Sequence, residues 1–137
     1  MSNIYYNVVD LQNHHAVAAV IKNKNGDTLM MDHVKFNFWT IPVGKVKPNQ
    51  TVEEALFVEM KEELSIVPTK FEEIYSFEKS YEREGKMVEV IQHIFLVEEF
   101  EGEPVNNEPE KHREIKWMNF DEILACESLS DATLALM

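Results

Sequence analysis

The sequence predicts an α/β fold, a central mixed sheet with helices on both faces in an α/β/α arrangement. Two observations predict it: segments of strand character outnumber helical ones, and the helical segments lie at separate places along the chain rather than in one block.

Taken in order, residues 15–22 (HAVAAVIK) read as a largely buried strand. Asn23-Lys24-Asn25-Gly26 then signals a turn and residues 28–32 (TLMMD) a returning strand, so the pair is expected as a hairpin. Residues 36–41 (FNFWTI) are aromatic and extended, and Pro42 stops them just before Gly44, where a loop is expected. Thr51-Val52-Glu53-Glu54 has the spacing of a capping box, opening a helix that reaches about Leu64 and is bounded by Pro68. Residues 71–81 and 87–97 flank Glu84-Gly85 and are rich in β-branched and aromatic side chains, a second and longer hairpin. Gly102 and Pro104 break the chain. Residues 106–113 read as a polar loop, 115–118 as a short strand, and 121–126 and 130–136 as short helices.

With 137 residues, 45% of them hydrophobic, a single domain over 1–137 can build one core. The N-terminus has no basic segment followed by an apolar run, and no stretch of about 18 apolar residues occurs, so neither export nor a membrane span is expected. The single cysteine, Cys126, fits a reducing compartment, and cytoplasm is the expected location. A net charge of -12 disfavours duplex DNA or long RNA as a partner. A small phosphorylated ligand remains acceptable if divalent cations stand between carboxylates and phosphates.

The segment from Thr51 to Ser65, placed on a helical wheel, carries the chemistry. Val52, Ala55 and Leu56 share one face, and the same face continues as Glu59, Glu62 and Glu63, so an apolar stripe turns acidic halfway along. A solvated glutamate face is the ordinary alternative. Against it, the polar stripe runs elsewhere, through Glu54, Lys61 and Ser65, while Phe57, Met60 and Leu64 add an apolar flank beside the acids. Like charges at this spacing repel, the more so where water is excluded. A hard cation such as Mg²⁺, which prefers oxygen ligands and is shared with substrate phosphates, offsets that repulsion.

The stretch from Trp39 through Gly44 and Lys45, with the helix after it, resembles the Nudix hydrolase family, whose box reads G-x5-E-x7-R-E-U-x-E-E-x-G-U. Gly44 opens the box, and Glu59, Met60, Glu62, Glu63 and Ile66 match it without a gap. Gln50, Val58 and Ser65 depart from it, standing where glutamate, arginine and glycine are usual. Asn107-Glu108-Pro109-Glu110-Lys111, Trp117 and Asp121-Glu122-Ile123 are similar to the tail of MutT-like nucleoside-triphosphate diphosphatases.

The resemblance implies a Mg²⁺-dependent pyrophosphohydrolase, with Mn²⁺ as an alternative ion, acting on a small nucleotide and yielding a monophosphate and pyrophosphate. It implies Glu59 and Glu63 as metal ligands, with Glu110 from the later loop approaching the ion, and Glu62 either binding metal or activating water. On the substrate side, Lys45 after Gly44 is a candidate point charge for phosphate, with an exposed lysine as the alternative; Trp39 beside Thr40 is a candidate for stacking on the base, with core packing as the alternative; and the resemblance points to Asp131 for specificity. The five histidines show no ligand spacing and read as structural or exposed. The alternative is a Nudix fold kept as a nucleotide-binding or interaction module, favoured by the changes at Gln50 and Val58. Relatives that pair as homodimers make a dimer compatible with this chain.

Overall fold

The computed structural model describes residues 8–137. One strand, β1 (His14–Ile21), explains the architecture, because residues 16–21 are all buried. Successive strand side chains point to opposite faces, so both faces need cover. Val17, Ala19 and Ile21 pack against Ala55, Leu56, Met60 and Leu64 of helix α1 (Val52–Leu64). Ala18 and Val20 pack in a second cluster with Ile123 of α2 (Phe120–Leu124) and Ala132 of α3 (Asp131–Leu134). The α/β/α arrangement follows from this double burial.

Strand β1 pairs in parallel with β6 (Lys86–Glu101) and antiparallel with β4 (Val43–Lys45), and β6 pairs with β5 (Val67–Arg83), giving a mixed sheet of order β4-β1-β6-β5. A second, antiparallel sheet has the order β3-β2-β7, from β3 (Phe38–Thr40), β2 (Thr28–His33) and β7 (His112–Met118). The first expected hairpin therefore does not form as a ladder. Both edges of β1 are taken by β4 and β6, and among the described residues the two segments pair only through the isolated Lys22–Thr28 bridge just past the end of β1.

The second hairpin does form, closed at Glu84 (φ 53) and Gly85 (φ 76), the paired positive φ that a two-residue turn between twisted strands demands. Its first strand starts as early as Val67 and includes Pro68, which an edge strand tolerates. Strand β7 likewise begins at His112, inside the segment read as a loop. The expected strand at 36–41 is shorter, because Asn37 is left-handed (φ 54) and residues 34–37 turn. Among the described residues, no helix is long and apolar enough to cross a membrane.

Candidate active site

Helix α1 starts as its sequence dictates: the Thr51 side chain accepts from the Glu54 amide at 3.0 Å, and the Glu54 carboxylate accepts from the Thr51 amide at 2.8 Å. Its buried stripe runs through Ala55, Leu56, Met60 and Leu64 and includes one acid, Glu63, only 5% exposed. Glu59 is half-buried and lies so close to Gly44 of β4 that a Cβ added there would overlap its side chain. A residue with no side chain is what allows strand and carboxylate to touch. Glu62 stands exposed at the rim. Glu59, Glu62, Glu63, Gly44 and Lys45 all line one cleft of about 430 Å³.

Glu63 is the unusual member. One of its oxygens, Oε1, is buried without a hydrogen-bond partner. Burial pushes its carboxyl well above the usual carboxylate range, helped by the hydrogen bond to Glu59 and by the charges of Glu59 and Glu108, while Lys111 acts the other way. Glu63 is thus strained as an anion and fits a cation well. Among the described residues, no three His, Cys, Asp or Glu side chains are drawn together closely enough to hold an ion outright.

The end of α1 anchors the loop that faces it. Ser65 is left-handed (φ 60, ψ 34), and the last carbonyls of the helix are satisfied from residues 105–107. Val105 donates to the Leu64 carbonyl at 3.0 Å and Asn107 to that of Glu63 at 3.1 Å. The Asn107 amide also donates to the Glu62 carbonyl at 3.2 Å and to Ser65 Oγ at 2.7 Å. This fastening carries Glu108 and Lys111 to the cleft. The turn closed by Lys111 and His112 amides on the Glu108 carbonyl leaves Glu110 exposed and outside the lining. The acid that the loop presents to Glu63 is Glu108, two positions before the one chosen from sequence.

On the far wall, Lys45 pairs with the buried Asp10 at 3.1 Å, and Arg83 donates to the Asp10 carbonyl at 2.9 Å. Tyr81 donates to Asp131 at 2.8 Å and lies under the Arg83 guanidinium, 5.0 Å from ring centre. Burial, then the bond to Asp131, pushes its phenol above the ordinary range. Asp131 does not line the cleft. Its carboxylate is taken up by Tyr81, a cleft residue, and by Lys79 at 3.0 Å.

Thr40 is buried and outside the lining too, its hydroxyl 2.6 Å from the Ile41 carbonyl and 2.7 Å from Ser130 Oγ. Trp39 lines a different depression with Phe38, Arg113 and Cys126, and the aromatic side chains at the acidic cleft are Tyr81 and the half-exposed Phe36. The sequence also gave no sign of His33 and His112. Both line the cleft with their rings 5.5 Å apart, and burial lowers both, His33 to about 4. They are 79 positions apart on β2 and β7, neighbours only through the strand pairing that sets His33 opposite His112.

Comparison with known proteins places this geometry. The NUDIX domain family matches residues 12–135. A MutT NUDIX hydrolase from Burkholderia pseudomallei superposes with a TM-score of 0.79 at 25% identity, covering 90% of this chain and 95% of that one. The E. coli ORF135 protein superposes at 0.70 with 26% identity, covering 96% and 90%. An RNA pyrophosphohydrolase of Marinomonas sp. (strain MWYL1) is 40% identical over 56 residues, 41% of this chain but only 35% of that protein.

Proposed function

Because the chain belongs to the NUDIX domain family, we propose that it hydrolyses the diphosphate linkage of a small nucleotide, releasing a nucleoside monophosphate and pyrophosphate from a triphosphate. The observation that carries this reading is Glu63, a buried carboxylate with an unpaired oxygen beside Glu59 and Gly44 in a cleft that also presents Lys45, Lys47, Arg83 and Lys111.

The donor set fits a hard divalent ion, Mg²⁺ or Mn²⁺. Hydrated Mg²⁺ needs only one or two carboxylates from the protein, so an incomplete cage is no obstacle. Glu59 and Glu63 would hold it, with Glu108 in the place first given to Glu110. When bound, such an ion neutralises phosphate oxygens and acidifies a water molecule. Glu62, exposed at the rim, is then the carboxylate able to receive a proton from the attacking water. Lys45 sits next to Gly44 with its ammonium already oriented by Asp10, which fixes a point charge for phosphate at the strand end. Gly44 positions Glu59 by contact.

The test is a panel of nucleoside triphosphates, dinucleotides and nucleotide sugars, assayed for phosphate and pyrophosphate release with Mg²⁺ and with chelator. Metal-dependent turnover that Glu63→Gln abolishes supports the proposal. A second reading, a binding module, draws on Gln50 and Val58, and is favoured instead if nucleotides raise the melting temperature with no turnover of any panel member.

A further inference from the structure

We propose that Gln92 reads the substrate base, its side-chain carbonyl accepting a hydrogen bond from an amino group on the base edge; this rests on the nucleotide reading above. Among the described residues, three buried side-chain atoms lack partners: Glu63 Oε1, His112 Nδ1 and Gln92 Oε1. Buried polar atoms are almost always satisfied, and all three of these residues line the same cleft. Three unpartnered buried atoms facing one cleft point to a bound group that supplies their hydrogen bonds.

Gln92 differs from the other two in its setting. It lies on β6 in a row that crosses the sheet as Lys45, Ala16, Gln92, Phe77. Directly paired residues present their side chains on the same face, so Lys45 and Gln92 share a face two strands apart, about 10 Å. Between them Ala16 is small and leaves room above the sheet. Ala16, Val88 and Val90 form a buried apolar cluster with Tyr81 packed against it, and of these Ala16, Val90 and Tyr81 line the cleft, an apolar border for a planar ring. Glu59 meets the opposite face of β4 at Gly44, and the cleft joins the two faces around this edge strand, so a nucleotide whose phosphates reach from Glu59 round to Lys45 extends its base along this row toward Gln92.

The unpaired atom there is the carbonyl oxygen, an acceptor only. As oriented it matches an exocyclic amine, whereas a keto oxygen in the same position leaves two acceptors facing each other unless the amide turns over. The substrate class inferred is therefore a nucleotide with an amino-bearing base, and Gln92 determines that specificity.

The test compares two pairs that differ only in amino against keto, CTP with UTP and ATP with ITP, in the native protein with Mg²⁺ and in Gln92→Leu and Gln92→Glu. The native protein should favour the amino member of at least one pair by about tenfold or more in kcat/KM. Gln92→Leu, similar in volume, should bring that ratio to within about threefold while keeping a native-like melting curve, and Gln92→Glu, which retains the acceptor, should preserve the preference. Thermal shifts with non-hydrolysable α,β-methylene analogues give the same ranking without turnover. If the native protein turns over nucleotides without such a preference, or Gln92→Leu leaves it intact, the inference is overturned and the nucleotide reading stands. If no nucleotide is hydrolysed or stabilises the native protein, both are overturned.

Discussion

Replacing Glu63 by glutamine should make the metal-free protein more stable while it destroys the activity. The native side chain is 5% exposed and holds one oxygen without a partner next to Glu59. A buried acceptor left unsatisfied costs about 1–3 kcal/mol, and glutamine keeps the volume, removes the charge and can donate to Glu59. For a chain of this length that relief corresponds to a rise in melting temperature of roughly 3–10 °C. The pH dependence fixes the sign. Glu63 titrates above the unfolded value of about 4.3, so above that pH the native state binds more protons than the unfolded chain and loses stability as pH rises. The gain from Glu63→Gln should accordingly be small at about pH 4.5 and grow toward pH 8. Calorimetry in chelator across that range measures it. A variant that is less stable than the native protein at pH 8, or a gain that shrinks with rising pH, refutes the account of Glu63 as a strained anion.

Gly44→Ala should place a methyl group on Glu59 and displace it, lowering kcat/KM by about a hundredfold or more and costing about 1–3 kcal/mol in urea unfolding; undiminished turnover would show that the contact does not position Glu59. Ser65→Gly relieves about 1 kcal/mol at a left-handed residue but gives up the exposed bond from Asn107, worth about 0.5 kcal/mol, so a net gain of about 0.5 kcal/mol in denaturant midpoint is expected. His33, held to about 4 in the fold, stays neutral while the unfolded chain takes up a proton below about pH 6.5, so its burial costs stability as pH falls through that window. His33→Gln should flatten the acid limb of the melting temperature between about pH 6.5 and 4 relative to the native protein; parallel curves would contradict the half-buried neutral imidazole.

What was legible in the sequence was whatever depends on neighbours along the chain. The Thr51–Glu54 box, the Glu84-Gly85 turn and the uninterrupted apolar run of β1 each signal their own local geometry, and each is present in the fold. So is the acidic continuation of the α1 stripe, since helical periodicity alone sets Glu59, Glu62 and Glu63 at one cleft. Strand partnership is not local. Nothing in residues 15–32 says that β1 will give both its edges to β4 and β6, and the hairpin reading failed there. The same limit hid His33, Gln92 and His112, which three separate strands bring to the cleft. Within the loop, that Glu108 rather than Glu110 lines the cleft depends on a turn whose anchors are the carbonyls of α1.

The three departures from the Nudix box have local substitutes in this chain. Gln50, lacking an arginine partner at Val58, accepts from the Lys47 amide at 2.9 Å while its own amide donates to the Lys47 carbonyl at 3.1 Å, which closes the turn through left-handed Asn49 without any ion pair. Glu59 is held against Gly44 and lies beside Glu63, so the support an arginine would lend is replaced by a backbone contact and a neighbouring acid. Ser65 carries the strain of αL but returns a hydroxyl to Asn107, fastening the loop that carries Glu108. Support that comes from an acid has a consequence an arginine would not have. Two carboxylates orient each other only while a proton or a cation is shared between them, so the geometry of Glu59 depends on whatever charge Glu63 is given.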